Sequence, residues 1–371
     1  MRIVFLVVNL ACGGVERTVS YLSEYFAENG HNTAIICVSD EQFYDISKKV
    51  KLIKLNIPSA CSNFFERIIN ILKRFIEIGK VLKDEKPDCV VCLDAAMLRF
   101  IYFQHKFGKF KVITSERNNP LMDTMEKKLI KYRAFRQSDG IVFQTERARR
   151  CFPPEIANKG VVIPNAVGNP LVFQIFMPEK RRKVITAAGR LTRQKDYPTM
   201  LKAFKVFHEK HPDFRLEIYG DGEEKMKYID LAVALGIRSY VDFKGNIKDA
   251  IIPISTSSCF VMSSLYEGMP NALMEAMAVG VPCISTDCPF GPSELIKDGF
   301  NGILVPVGNY KALADAMCRM VENTDFAERC ALNAKKILDV HNVSAISQMY
   351  LDYIDEIVKE SAKKGEKNIG S

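Results

Sequence analysis

The feature that most limits what this chain can fold into is the recurrence of short apolar runs, rich in β-branched residues, between amphipathic stretches of helical length. In the first 170 residues the runs are Ile3–Val8, Thr33–Val38, Val50–Leu55, Cys89–Leu93, Val112–Thr114, Gly140–Gln144 and Val161–Ile163. They read as strands, and intervening segments such as Gly14–Asn29 and Arg67–Lys83 read as helices. Alternation of strand and helix implies parallel sheets with right-handed crossovers. A second series follows at Val184–Ala188, Arg215–Tyr219, Val241–Phe243, Cys259–Met262, Pro282–Ser285 and Gly302–Val305. Between the two series, Pro164–Pro170 concentrates turn formers and Pro178–Lys183 is polar and charged, which places a linker there. The expected architecture is α/β, with two Rossmann-like domains facing across a cleft: residues 1–170, and residues 171–342. Ligands are expected near the carboxyl ends of the strands. Val343–Val358 reads as one long helix, and Lys363–Ser371 as a tail without structure.

Composition narrows the chemistry. A chain of 371 residues, 47% hydrophobic, can supply two cores. Its 11 cysteines, scattered as Cys12, Cys37, Cys61, Cys89, Cys92, Cys151 and onwards, do not form a disulfide framework. Cys89 and Cys92 lie inside an apolar strand, and no second pair completes a zinc site. The histidines (His31, His105, His208, His211 and His341) are equally scattered, so neither a metal nor a nucleophilic triad is expected. The N-terminal run Met1–Val8 passes directly into Asn9 and the Gly13-Gly14 turn, which suits a first strand better than a signal peptide. No apolar stretch approaches the roughly 20 residues of a membrane span. The expected location is the cytoplasm, peripheral at the inner face of the plasma membrane.

The net charge of +8 is confined to one half. Residues 1–170 hold 26 Lys/Arg against 18 Asp/Glu, whereas residues 171–371 hold 26 of each. The first half should therefore face something anionic. Without a stacking platform or a nucleic-acid module, that partner is not expected to be nucleic acid.

Three segments carry chemistry. In Ser264–Gly280 a loop containing Glu267 leads into a helix that contains Glu275 and ends at Gly280. Backbone N–H groups from Gly268 to Ala272 then form a natural anion site. In one helix the two carboxylates would be about 12 Å apart, beyond the roughly 5–9.5 Å of a glycosidase pair. They should have different tasks, one near a sugar and one near a ribose diol; the bland reading is a capped helix with two solvated carboxylates. In Gly189–Pro198 a strand ends at Gly189, and Arg190 and Lys195 follow in a loop where they can hold a departing diphosphate. Gly13-Gly14 opens a helix after the first strand, but the full dinucleotide fingerprint is missing. Gly220–Gly222 and Gly245-Asn246 follow strands and serve either as turns or as ligand contacts.

Together these residues resemble the family-4 retaining glycosyltransferases of the GT-B fold. The resemblance covers nearly the whole chain. It is most specific in Glu267 with Glu275 and in Gly189–Lys195, and is supported by Gly13–Arg17, Val162–Asn165, Asp287–Ile296 and Gly299–Pro306. It implies a nucleotide-sugar donor bound by the second domain. Arg190 and Lys195 would hold the diphosphate and Glu275 the ribose hydroxyls, with Gly14 and Gly189 also among the donor-binding residues and the Gly13-Gly14 loop near the reacting sugar. Glu267 with Gly268, Met269, Pro270, Asn271 and Ala272 would meet the transferred sugar and distal phosphate, and Gly245, Asn246 and Ile247 the base. Arg190, Lys195 and Glu267 would carry catalysis, with no metal or cofactor. The terminal helix, residues 343–360, would cross back to the first domain, which would hold the acceptor near Gly13, Glu116, Arg117 and Asn118. Many members carry a histidine after the strand that here ends at Thr114; this chain has Ser115-Glu116-Arg117-Asn118 instead, so Glu116, Arg117 or no protein base activates the acceptor.

The closest-looking subgroup includes N-acetylgalactosamine transferases and surface-polysaccharide enzymes. It implies transfer of a hexose or N-acetylhexosamine from a UDP-sugar to a polyprenyl-diphosphate-linked glycan in bacterial polysaccharide synthesis. Rival readings are a UDP-sugar 2-epimerase or phosphorylase, a catalytically silent sugar-nucleotide scaffold and, weakest, a nicotinamide dehydrogenase. Residues 63–83 form an amphipathic helix with Phe64, Phe65, Ile68, Leu72 and Phe75 along one side. That stripe is expected in the core. The alternative is an interfacial helix whose Lys73, Arg74, Lys80 and Lys83 meet an anionic membrane surface.

Overall fold

The computed structural model describes residues 1–11, 13–58, 63–168, 181–247 and 250–369. Cys12, Cys61 and the linker residues Asn169, Pro170 and Pro178–Lys180 lie outside the described residues. The chain divides into two compact units, Met1–Ala166 with Val343–Ser371, and Val167–Asn342.

The first unit is built on a seven-stranded parallel sheet of order β3-β2-β1-β4-β5-β6-β7. The strands are β1 (Arg2–Val7), β2 (Asn32–Cys37), β3 (Lys51–Lys54), β4 (Cys89–Cys92), β5 (Lys111–Glu116), β6 (Gly140–Phe143) and β7 (Gly160–Val162). Each falls where an apolar run was read. Between them come α1 (Gly14–Glu28), α2 (Phe64–Glu85), α3 (Tyr102–Phe107), α4 (Met125–Gln137), α5 (Glu146–Arg149) and α6 (Pro154–Ala157). The helix starts have local causes: Asn63 accepts the Glu66 N–H at 2.9 Å to begin α2, and Thr145 accepts the Ala148 N–H at 3.0 Å to begin α5.

The second unit has a six-stranded parallel sheet of order β10-β9-β8-β11-β12-β13. Its elements in chain order are β8 (Arg182–Ala188), α7 (Tyr197–Lys210), β9 (Arg215–Tyr219), α8 (Lys225–Ala234), β10 (Val241–Gly245), α9 (Ile251–Ser255), β11 (Ser257–Met262), α10 (Asn271–Ala278), β12 (Cys283–Thr286), α11 (Pro292–Leu295), β13 (Ile303–Val305), α12 (Tyr310–Glu322), α13 (Thr324–Lys335) and α14 (Ile337–Val340). Leu201, Phe204 and Phe207 of α7 join Leu313 and Met317 of α12 in one core cluster, while Leu273, Met274 and Met277 of α10 lie in another. A fully buried side chain of this size contributes ~1.5–3 kcal/mol, so the amphipathic pattern of each helix decides which face it gives to the sheet.

The chain returns to the first unit through α15 (Val343–Ile369), whose Ile346, Tyr350, Tyr353 and Ile354 enter that unit's core. The Tyr353 hydroxyl accepts the Ile141 N–H at 3.0 Å and donates to the Lys159 carbonyl at 2.7 Å. The helix does not stop near Val358, and most of the expected tail is helical. A helix already nucleated by packing propagates cheaply through good formers such as those of Ser361–Lys364.

A second expectation is overturned in α2. Only Ile78 and Leu82 of this helix are buried, while Phe64, Phe65, Ile68 and Leu72 are exposed. The N-terminal part of the stripe therefore lies outside the core, which α2 joins through Phe75, Ile78, Val81 and Leu82. No helix among the described residues is long and apolar enough to cross a membrane.

Candidate active site

In the second unit the carboxyl ends of β8, β9 and β10 are laced together by backbone. The Gly189 N–H donates to Tyr219 O at 2.9 Å, and the Gly220 N–H donates to Gly245 O at 2.8 Å. A Cβ on Gly220 would lie 2.1 Å from Gly189 O, so only glycine allows this approach. Arg190 then leads into a single turn at Arg193–Lys195, and Asp196, at φ 44°, starts α7.

This loop is clamped to the loop after β11. The Ser263 hydroxyl donates to Lys195 O at 2.8 Å and Asp196 O at 3.0 Å. The Leu265 N–H donates to Gln194 O at 2.8 Å, and Gln194 Nε2 returns a bond to Tyr266 O at 2.9 Å. The clamp sets Lys195 Nζ 2.5 Å from Glu267 Oε1, which also accepts the Ser264 hydroxyl at 2.6 Å. Thr286 fixes Ser264 in turn by donating to its carbonyl at 2.6 Å. Glu267 and Lys195 are largely withdrawn from water, with side chains 7% and 16% exposed, so their attraction is weakly screened.

A third loop, after β12, supports Glu267 from behind. Gly291, at φ 83°, packs so closely that a Cβ would lie 2.5 Å from Gly268 O. Phe290 beside it is buried yet holds a left-handed φ of 65°. Two strained non-glycine residues, Asp196 and Phe290, thus flank the ion pair, and such strain persists only where the surroundings over-determine it. Burial, reinforced by the nearby Glu267 charge, pushes the Cys288 thiol up to about 12, so it stays protonated and unreactive at neutral pH.

The structure brings together much of what the motifs suggested. Met269 and Pro270 are buried, Pro270 precedes α10, and Gly268, Asn271 and Ala272 are half-buried around its start. Glu275 lies inside α10, half-buried. Gly245, at φ 73°, ends β10, and Asn246 and Ile247 follow on the surface. Arg190 is exposed, and among the described residues no carboxylate lies within ion-pair distance of it. With Lys195 and Glu267 neutralising each other, Arg190 and the exposed Arg193 leave the loop cationic. Ser263, Ser264, Gln194 and Thr286, which hold the pair in place, went unassigned in the sequence: apart from the local bond of Ser264 to Glu267, their contacts span 22 to 72 residues.

In the first unit, Gly13 precedes α1, and its carbonyl accepts the Tyr44 hydroxyl at 3.2 Å; Gly14 opens the helix, exposed. Glu116 ends β5 and is buried, with Oε1 accepting the Asn118 N–H at 3.0 Å and Oε2 2.6 Å from Lys131 Nζ. Lys131 also pairs with Asp123. Burial pushes the Glu116 carboxyl above its ordinary range despite Lys131. Arg117 donates to Asn165 Oδ1 at 2.5 Å, and Gln144 donates to the same oxygen at 2.7 Å. Glu116 and Arg117 are thus engaged in holding the loop, and Asn118 is the exposed member of the three.

The family description "Glycosyltransferase Family 4" matches residues 12–168, and "Glycosyl transferases group 1" matches residues 171–337. An uncharacterised glycosyltransferase of Methanocaldococcus jannaschii is 30% identical over 329 residues, covering 74% of this chain and 81% of that protein. An α-1,4-N-acetyl-D-galactosaminyltransferase of Campylobacter jejuni, whose name gives a GalNAc–GalNAc–diNAcBac-PP-undecaprenol acceptor, is 22% identical over 360 residues, 96% of this chain and 99% of that one. A TarM variant of S. aureus, solved with Fondaparinux, alpha-GlcNAc-glycerol and UDP, superposes with a TM-score of 0.78 at 15% identity, covering 95% of this chain and 99% of that chain. With both halves matched in order and each half built on a parallel sheet flanked by helices, the chain belongs to the family-4 glycosyltransferases and has their GT-B fold.

Proposed function

We propose that this glycosyltransferase moves a hexose or N-acetylhexosamine from a UDP-sugar to a polyprenyl-diphosphate-linked glycan, with retention at the anomeric carbon and without a metal ion. The observation that carries this reading is the Lys195–Glu267 pair beside the exposed Arg190, at the carboxyl ends of β8 and β11. Lys195 has three N–H donors and spends one on Glu267, leaving others for a phosphate oxygen. Arg190 adds a planar fork suited to the same group. As the bond from the sugar to the diphosphate breaks, its electron pair goes to the phosphate oxygen, where these cations stabilise the growing charge. The acceptor hydroxyl attacks from the same face and passes its proton to that oxygen. Glu267, held by Lys195 and Ser264, is placed to receive hydroxyls of the transferred sugar, and Glu275 those of the ribose.

The acceptor reading draws on the basic first half and on the Campylobacter relative. A membrane-embedded acceptor suits the first unit's surface. Phe65 of α2 (77% exposed), Phe107 of α3 (80%) and Met125 of α4 (72%) stand among Lys73, Lys80, Lys106 and Lys127, all exposed. Both α2 and α4 pack on the Ala95–Phe100 turn, and buried residues of each join one core cluster, so the two helices cover the same face of the sheet. Apolar residues interleaved with lysines fit the headgroup boundary of an anionic bilayer. The test is transfer of radiolabelled sugar from UDP-GalNAc, UDP-Glc and GDP-Man to polyprenyl-diphosphate-linked oligosaccharide, with the product anomer read by NMR. An α-linked product from one UDP-sugar supports the reading. Inverted product, transfer from GDP-Man alone, or epimerised donor without transfer would overturn it.

A further inference from the structure

At the opposite end of α7 from the donor loops, about 20 Å along the helix axis, three side chains converge that no motif linked. His211 caps the end of α7, and Cys318 and Glu322 lie one turn apart on the last turns of α12. We propose that His211 Nε2, Cys318 Sγ and a Glu322 carboxylate oxygen form a zinc(II) site that ties these two helix ends together, with water as the fourth ligand.

Imidazole nitrogen, thiolate sulfur and carboxylate oxygen are the three ligand types zinc takes from proteins. Here the candidate atoms lie within 4.8 Å of one another. A tetrahedral zinc with bonds of about 2.0–2.3 Å would hold them roughly 3.3–3.8 Å apart, a small adjustment from this spacing. His211 is already aimed. Its Nε2 lies 3.0 Å from Glu322 Oε1, its ring stacks on Phe207 with centroids 4.8 Å apart, and Phe214 meets it edge-on at 5.9 Å. The ligands sit at the carboxyl ends of two helices, where the helix dipoles favour a cation. The sulfur ligand selects zinc over magnesium or calcium. Zinc binding displaces one proton from Cys318 Sγ to solvent, so binding weakens as pH falls. A bare His–Glu hydrogen bond accounts for two of the three residues and gives Cys318 no part.

The experiment titrates tag-free, metal-free full-length protein with cobalt(II), followed by zinc(II). One equivalent of cobalt should produce a thiolate-to-cobalt charge-transfer band and the strong visible bands of a four-coordinate ion, and zinc should abolish both. C318S should lose the charge-transfer band, and H211N and E322Q should bind about 10-fold more weakly or worse. Zinc should raise the melting temperature of wild type and leave that of C318S unchanged. If C318S fails to fold, H211N carries the test, because His211 is only half-buried at the end of α7. A cobalt spectrum without the charge-transfer band, or one identical in wild type and in whichever variant folds, would overturn the site.

Discussion

Lys195 and Glu267 each depend on the other. Removing Lys195 leaves a carboxylate facing protein with little water to replace its partner, and removing the Glu267 charge leaves the ammonium in the same position. Breaking such a pair from one side is expected to cost more than removing both charges. K195M and E267Q should each lower the melting temperature, and the double variant should lose less than the sum of the two, a coupling of ~0.5–3 kcal/mol in a thermal or urea double-mutant cycle. Transfer should fall on the order of 10²–10³-fold in K195M. Strictly additive stabilities would mean that the pair is a surface contact. At this scale the sequence was partly legible. Glu267, Glu275, Arg190 and Lys195 stand in spaced motifs, so residue type and spacing could single them out. That Lys195 and Glu267 bind each other could not, because the contact spans 72 residues and depends on two loops meeting. Sequence separation of other lengths likewise hid Lys131 from Glu116 and Cys318 from His211.

The elements behaved as their patterns dictate wherever one face is buried. Strands such as Cys89–Cys92 are buried at every position, and a short apolar run with β-branched residues between polar flanks marks them. An amphipathic stripe is weaker information, because it records that a face is apolar and says nothing of what covers it. In α2 only Phe75 of the stripe reaches the core, with Ile78 beyond it, and Phe64 and Phe65 do not. Replacing Phe64, Phe65 and Leu72 together by serine should abolish flotation with anionic vesicles at low salt and leave the melting temperature nearly unchanged. A large loss of stability with unchanged flotation would instead put the stripe in a core contact.

Element junctions also carry a pH dependence. Burial alone would raise the Asp139 carboxyl, but hydrogen bonds from His105, the Val112 N–H and Lys111 outweigh it and hold it at about 2. An unfolded aspartate titrates near ~3.9, so the folded value is the lower one. Asp139 therefore contributes stability that is present above that range and is lost as pH falls towards 2. In acid-unfolding curves followed by circular dichroism, D139N should be less stable than wild type at pH 7, and the gap should close as the pH drops. A gap that stays constant with pH would show that the carboxylate charge is not what matters there.

At the scale of the whole molecule, two units each close a parallel sheet with their own helices, and the chain passes between them after Ala166 and after Asn342. The two crossings are bonded to one another, with the Val167 N–H donating to His341 O at 2.7 Å. The turn formers of Pro164–Pro170 made the first crossing legible; the second shows in sequence only as the start of a long amphipathic stretch. All excess positive charge stays with the first half, while the second half holds acidic and basic residues in equal number. That asymmetry supports the proposed division of labour, in which the basic unit would receive an anionic acceptor and the other unit the donor. The most direct test of the donor assignment is calorimetric binding of UDP, UDP-GalNAc, UDP-Glc and GDP-Man to wild type and to R190A and K195A. The account expects one UDP-sugar to bind wild type in preference to GDP-Man and to lose at least about 10-fold in affinity in both variants. Equal binding to wild type and both variants, or no nucleotide binding at all, would contradict it.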